Sequence, residues 1–127
     1  MTPETTDHLE KGREFLAKAG DMLASGWADE AARAAYLTGF HAAQALILAR
    51  TGKATKSHSG LRSTFARLTK DDPQIDRRFA GFLARAYAFK EIADYVVIPQ
   101  AVITVEEARE VLATAREMID CIAEVLA

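Results

Sequence analysis

Three residues in the last third of the chain combine two opposite charges and a phenol at helical spacing. Lys90, Asp94 and Tyr95 fall in the segment KEIADY, and the first two are four residues apart. That spacing places Lys90 and Asp94 on one face of a helix. At the surface such a pair contributes only about 0.3–0.5 kcal/mol. If it is buried, these three residues become candidates for catalysis, because buried charge pairs are typical of functional sites.

A second candidate lies at the start of a predicted helix, in the segment SHSG at residues 57–60. The free N–H groups and the positive dipole end of a helix N-terminus favour anions. The segment admits two interpretations, simple helix capping or a contact with phosphate or RNA. The binding candidates under the second interpretation are Lys53, Lys56, Ser57, His58 and Arg62.

The second predicted helix contributes two further candidates, Tyr36 and His41. Tyr36 is a binding candidate. His41 lies in the middle of the helix and admits two interpretations: a buried histidine that forms a hydrogen bond to a neighbouring helix, or a member of a polar pocket shared with the fourth helix. In the second interpretation His41 is a candidate for catalysis as well as binding.

The sequence lacks the motifs of the common metal and phosphate-loop sites. It contains no Glu-x-x-His pair, no His-Glu-x-x-His motif, and neither of the glycine-rich phosphate-binding patterns. Cys121 is the only cysteine, which excludes an intramolecular disulfide and a cysteine-based zinc site. We therefore expect neither a metal nor a cofactor.

Length and charge indicate one domain over residues 1–127 with an uneven surface. The net charge is −2, yet residues 50–70 contain six bases and no acid. Residues 1–30 and 104–127 each have a charge balance of −4. The basic middle indicates either an anionic partner or a solvated basic surface. No signal peptide or membrane span is evident, so we expect a cytoplasmic protein.

Apolar residues recur at helical spacing and predict an all-α fold of five helices. Thr2-Pro3 predicts the start of helix 1, over 4–24, and Ser25-Gly26-Trp27 ends it. Helix 2, over 28–50, is rich in alanine and apolar on most of its circumference, as is typical of the central helix of a bundle. Gly52 ends it in the left-handed C′ conformation.

The remaining three helices are predicted mainly from their caps. Ser57 caps helix 3, over 58–69. Asp72-Pro73 predicts the N-cap and first residue of helix 4, whose frayed end is residues 95–98 before Pro99. Thr104 and Glu107 form a capping box that opens helix 5, which runs to the C-terminus.

Three segments, in order, resemble the HEPN family. Residues 34–46 (AAYLTGFHAAQAL) are similar to the second helix of HEPN domains, residues 56–65 (KSHSGLRSTF) to the following element, and residues 90–95 (KEIADY) to a later one. The resemblance implies an up-and-down antiparallel bundle of four long helices and one short helix. It also implies homodimers, a small nucleotidyltransferase as partner, and a role in toxin–antitoxin or defence systems.

Many HEPN proteins are metal-independent ribonucleases with an arginine followed, after four to six residues, by a histidine. Here Lys90 and Tyr95 occupy the matching places, and no histidine follows His58. An imidazole suits proton transfer at neutral pH, whereas tyrosine has a pKa of about 10. Lysine also lacks the two-pronged contact that arginine makes with phosphate.

Three functions remain open. The departure from the ribonuclease motif favours a non-catalytic module that binds either a nucleotide or a partner protein. The partner protein that this hypothesis favours is the nucleotidyltransferase. One alternative is a divergent ribonuclease toxin that uses Lys90, Asp94 and Tyr95 with His41 or His58. The other is a nucleic-acid- or phosphate-binding bundle whose salt-sensitive contact is residues 50–70. In a homodimer we expect helix 2 or helix 4 at the interface.

Overall fold

The structure, a computed structural model, describes residues 1–95 and 103–127 as five helices without a strand in those ranges. The predicted all-α bundle is confirmed, and helices 1, 2, 3 and 5 lie within one residue of their predicted bounds. The helices are α1 (Pro3–Ala24), α2 (Ala28–Thr51), α3 (His58–Thr69), α4 (Arg78–Tyr95) and α5 (Val105–Leu126).

The predicted caps form as expected at both ends of the chain. The Thr2 side chain accepts a hydrogen bond from the third helical N–H of α1, and Pro3 is the first residue of that helix. At α5, Thr104 and Glu107 exchange the two hydrogen bonds of a capping box, at 3.1 and 2.9 Å. Gly52 ends α2 at φ 78°, a conformation that costs glycine little.

The predicted start of α4 at Asp72-Pro73 is wrong, because the helix begins at Arg78. The Asp72 carboxylate accepts a hydrogen bond from the backbone N–H two residues later and so stabilises a turn instead of a helix. Ile75 is 2% exposed, so this turn buries an apolar side chain in the core. Asp76 then accepts from the Arg78 N–H at 2.8 Å, at the true start of α4. Of residues 95–98, predicted as the frayed end of helix 4, only Tyr95 is among the described residues.

Helix α2 is the centre of the bundle, as its composition predicts. It contacts each of the other four helices and is buried along most of its length. At Gly39 the approach of α4 is close: a Cβ there would lie 2.6 Å from a ring carbon of Phe82. The small residues of α2 therefore determine the distance between α2 and α4. That distance in turn determines which side chains of α4 can contact α2.

The short connection between α1 and α2 contains the only tryptophan of the chain. Gly26 adopts φ 83°, and Trp27 is the N-cap residue of α2 without a side-chain cap. The Trp27 side chain is 63% exposed and borders an open groove together with Val105 at the start of α5. Among the described residues, no helix is both long and apolar enough to cross a bilayer.

Candidate functional site

Side chains from α2, α3 and α4 converge at one place, which we call the aromatic–cationic cluster: Tyr36, His58, Arg62, Tyr87 and Lys90. The Tyr36 Oη lies 2.6 Å from the His58 Nδ1. The Tyr87 ring centroid lies 5.4 Å from that of Tyr36 and 5.2 Å from that of His58. The helices thus bring together residues that are far apart in the sequence.

The start of α3 places His58 in the cluster. Ser57 caps the helix by accepting a hydrogen bond from the Gly60 N–H at 2.9 Å, so the capping interpretation of this segment is confirmed. The loop before it is fastened to α2, because the Gln44 amide donates to the Thr55 carbonyl at 3.0 Å and accepts from its N–H at 3.1 Å. Gln44 is buried, so this pair of hydrogen bonds holds the loop in one position.

The protonation of Tyr36 and His58 follows from their surroundings. Burial raises the pKa of Tyr36 to about 12, so the phenol keeps its proton at neutral pH. Burial, reinforced by the charges of Lys90 and Arg62, lowers the pKa of His58 below 6.5. The hydrogen bond between the Tyr36 Oη and the His58 Nδ1 can run in either direction; with the protonated phenol as its donor, the neutral imidazole has its proton on Nε2.

Arg62 supplies a cation to the cluster. Its Cζ lies 4.2 Å from the Tyr87 ring centroid, a cation–π contact. Its Nη1 is buried and has no hydrogen-bond partner in residues 1–95 or 103–127. A buried donor left in this way costs about 1–3 kcal/mol relative to one with an acceptor. An anionic oxygen at this position would remove that cost.

Lys90 and Asp94 form the ion pair that their spacing predicts, at 2.8 Å, and it is largely shielded from solvent: their side chains are 12% and 20% exposed. The hydrogen bond to Asp94 raises the pKa of Lys90, and the same bond lowers the pKa of Asp94. Arg33 on α2 also binds Asp94, at 2.7 Å. Tyr95 is 71% exposed at the end of the described part of α4.

His41 lies outside this cluster, so the structure does not support one of its two interpretations, a polar pocket shared with α4. Its Nδ1 lies 2.9 Å from the Nδ1 of His8 on α1, and its ring stacks on Phe15 at 5.7 Å. Burial, with the nearby charges of His8 and Lys11, lowers the pKa of His41 to about 4. The other interpretation, a histidine that forms a hydrogen bond to a neighbouring helix, is the one the structure supports.

The other predicted binding residues lie at the edge of the cluster or outside it. Lys53 and Lys56 are exposed in the connection between α2 and α3. Arg50, in the same basic stretch, pairs with Asp72 at 3.1 Å, so its charge is compensated within the chain.

The sequence prediction did not include Tyr87 and Arg33. Tyr87 precedes Lys90 by three residues, so the same helical spacing that joins Lys90 to Asp94 places Tyr87 on their face. Arg33 carries no such signal, since its partner is 61 residues away.

The cluster suits the binding of an anion better than proton transfer. Among the described residues, the Arg62 Nη1 and the His58 Nε2 have no hydrogen-bond partner, whereas the ammonium of Lys90 is paired with Asp94. A general base needs a free nitrogen lone pair, and with Tyr36 as the donor the lone pair of His58 is on Nδ1, within that hydrogen bond. Within the described ranges no group of three or more His, Cys, Asp or Glu side chains is placed to hold a metal ion.

A family model described as HEPN domain matches residues 5–126, nearly the whole chain. No curated protein matches the sequence significantly.

Proposed function

This chain belongs to the HEPN domain family, and we propose that it binds a phosphate of a nucleotide or an RNA at the aromatic–cationic cluster without cleaving it. The family suggests a nucleotide- or RNA-related or toxin-like module. The residue that argues for a phosphate is Arg62, whose buried Nη1 has no acceptor among the described residues. Phosphate oxygens are strong acceptors for guanidinium groups and neutral N–H donors alike.

The aromatic rings of the cluster favour a nucleotide as the ligand, because they can contact a base as well as a phosphate. Phe40 lies 5.0 Å from His58 and 6.2 Å from Tyr36, measured between ring centroids. Proteins that bind single-stranded nucleic acid combine basic side chains with aromatic rings on which bases stack. The basic residues 50–70 adjoin this side of the molecule through α3 and favour an anionic chain.

Binding of an oligouridylate labelled with fluorescein tests the proposal. We expect Arg62→Gln to weaken binding at least about tenfold, since a hydrogen bond to a charged group contributes roughly 1.5–3 kcal/mol. The control is Arg67→Gln, an exposed arginine of the same helix, which should weaken binding less than about threefold. Equal effects of the two substitutions, or no binding at about 50 mM salt, would contradict the proposal.

A divergent ribonuclease is the second candidate, because α3 brings the His58 imidazole close enough to Lys90 for the lysine charge to lower the pKa of His58. Incubation of the purified protein with the same RNA distinguishes the two. Intact RNA supports binding without cleavage. Cleavage that His58→Asn or Lys90→Ala abolishes would establish the ribonuclease instead.

We also propose the partners that the resemblance implies, a second copy of the chain and a small nucleotidyltransferase in a toxin–antitoxin or defence system. Of the two helices expected at a homodimer interface, α2 is buried by its own chain, which leaves α4. Light scattering gives the mass in solution. A monomer at all concentrations would contradict the homodimer, and failure to co-purify with a co-expressed neighbouring nucleotidyltransferase would contradict the second partner.

A further inference from the structure

A second cationic position, between α2 and α4, shares Lys90 with the aromatic–cationic cluster. Two cations, Lys90 and Arg33, bind a single carboxylate, that of Asp94, at 2.8 and 2.7 Å. The three side chains therefore retain one positive charge in excess. The Lys90 and Asp94 side chains are mostly buried, while Arg33 is 39% exposed, so the position can be reached from solvent along Arg33.

The Asp94 carboxylate occupies the place in which a phosphate would be bound. Carboxylates and phosphates accept the same charge-assisted hydrogen bonds from guanidinium and ammonium donors. A phosphate has more oxygens and more negative charge at neutral pH than a carboxylate. It can therefore compete with Asp94 for Lys90 and Arg33.

Tyr87 connects this position to the cluster. The Lys90 Nζ lies 6.0 Å from the Tyr87 ring centroid, and the Arg62 Cζ lies 4.2 Å from the same centroid. The two cationic positions thus border one ring. Glu91, the other carboxylate on this part of α4, hydrogen-bonds to the Tyr87 phenol and raises its pKa.

We propose that Lys90 and Arg33 form a second phosphate position, held by the Asp94 carboxylate until a phosphate replaces it. The ligand of the cluster then carries two neighbouring phosphates, either in a nucleotide chain or in a nucleoside diphosphate. This inference rests on the proposed function, because the first phosphate is the one bound by Arg62. The ligand is then a molecule with two neighbouring phosphates, and Asp94 competes with its second phosphate for Lys90 and Arg33.

Titrations with three uridine probes test the second position. They are uridine 5′-monophosphate, uridine 5′-diphosphate and the 5′-phosphorylated dinucleotide pUpU, each followed by calorimetry. We expect a ligand with two phosphates to bind at least about fivefold more tightly than the monophosphate, and Lys90→Ala to abolish that advantage. Tighter binding of pUpU alone identifies a nucleotide chain as the ligand. Tighter binding of the diphosphate alone identifies a nucleoside diphosphate.

Asp94→Asn is the decisive variant, because it removes the competing charge and keeps the shape of the side chain. We expect it to strengthen the binding of the ligands with two phosphates several-fold. Asp120→Asn is the matched control: it changes the net charge equally and breaks another inter-helix ion pair, Arg13–Asp120 at 3.0 Å. It should change the Kd less than about twofold.

The outcomes separate the two proposals. If Arg62→Gln weakens monophosphate binding but all three probes bind equally, the second position is wrong and the proposed function stands. If Asp94→Asn weakens binding or matches Asp120→Asn, Asp94 is not a competitor, and the inference fails. If no probe and no RNA binds, the proposed function fails and the inference with it. Thermal melting by circular dichroism verifies that each variant is folded.

Discussion

At the residue scale, the Tyr36 phenol decides what His58 can do. The phenol is buried and keeps its proton; with this proton donated to Nδ1, at 2.6 Å, the imidazole proton is on Nε2. The histidine then faces a ligand as a donor rather than as a base. One buried hydroxyl thus favours anion binding over the abstraction of a proton.

The first prediction concerns this hydroxyl. Tyr36→Phe should lower the free energy of unfolding by about 1–2 kcal/mol, because the His58 Nδ1 loses its donor in a partly buried place. In long-range ¹H–¹⁵N NMR spectra of the wild type, His58 should be the neutral Nε2–H tautomer, and the variant should lose this preference. Tyr95→Phe, at an exposed tyrosine, should change neither quantity. An Nδ1–H tautomer in the wild type would contradict the assignment.

The second prediction concerns His41 and acid. Its folded pKa of about 4 lies below the 6.5 of the unfolded chain, so the unfolded state binds more protons between those values. The free energy of unfolding should therefore fall as pH decreases from 6.5 towards 4. We expect His41 to account for about 1–2 kcal/mol of this fall, less than full linkage gives, because solvent reaches part of the ring.

Urea denaturation at pH 7 and pH 4.5 measures this contribution. His41→Gln should reduce the difference between the two free energies of unfolding by about 1 kcal/mol. The lowered pKa of His58 acts in the same direction in both proteins and cancels in the comparison. An unchanged difference would show that His41 accepts a proton in the folded state at no cost.

At the element scale, helix bounds could be predicted wherever a cap is local in sequence. The side chains of Thr2, Ser57 and Thr104 each accept a hydrogen bond from the backbone N–H three residues later. The sequence alone is therefore enough to identify these caps. Asp72-Pro73 has the same local signal, but burial of Ile75 and the contact of Asp72 with Arg50 favour a turn. The preference for a turn arises from tertiary contacts, which the spacing of apolar residues in the sequence does not reveal.

The candidate site could be predicted in part for the same reason. The Lys90–Asp94 pair follows from spacing on one helix, and the basic neighbourhood of His58 follows from its loop. The side of α2 that faces α4 could not be derived, because α2 is apolar almost all round and its periodicity marks no single face. The two interpretations of His41 therefore stay open in the sequence, and the structure decides between them by placing His41 against His8 of α1. Arg33 is not predicted at all.

The third prediction concerns the approach of α2 and α4. Gly39→Ala places a methyl group 2.6 Å from a Phe82 ring carbon and 3.2 Å from Leu83. Overpacking should outweigh the gain in helix propensity and destabilise the protein by about 1–2 kcal/mol. Because α4 must move outward, phosphate binding should weaken as well.

The matched control is Gly81→Ala, at an exposed glycine of α4 with nothing within 4 Å of the added carbon. It should stabilise the protein by about 0.5–1 kcal/mol, since alanine favours helix. Chemical denaturation of both variants checks the pair. A stabilised Gly39→Ala protein would show that the two helices separate without cost.

At the scale of the whole molecule, the charged surface contributes little to the free energy of folding, and the buried apolar residues contribute most of it. Ion pairs such as Arg78–Glu117 and Arg85–Glu110 join α4 to α5, but all four side chains are half-exposed or more. Each such pair contributes about 0–1 kcal/mol and is screened by salt. Stability therefore resides in the apolar contacts of α2, and the basic residues near α3 are available for binding without loss of the fold.

The exposed position of Trp27 has a practical consequence for solution work. As the sole indole of the chain and 63% exposed, it already has a largely aqueous environment in the native protein. Its emission spectrum should shift little when the bundle denatures, which makes intrinsic fluorescence a poor monitor of folding. The same indole would respond strongly to any macromolecule that covers the corner between α1 and α2, so it is a built-in probe for complex formation there.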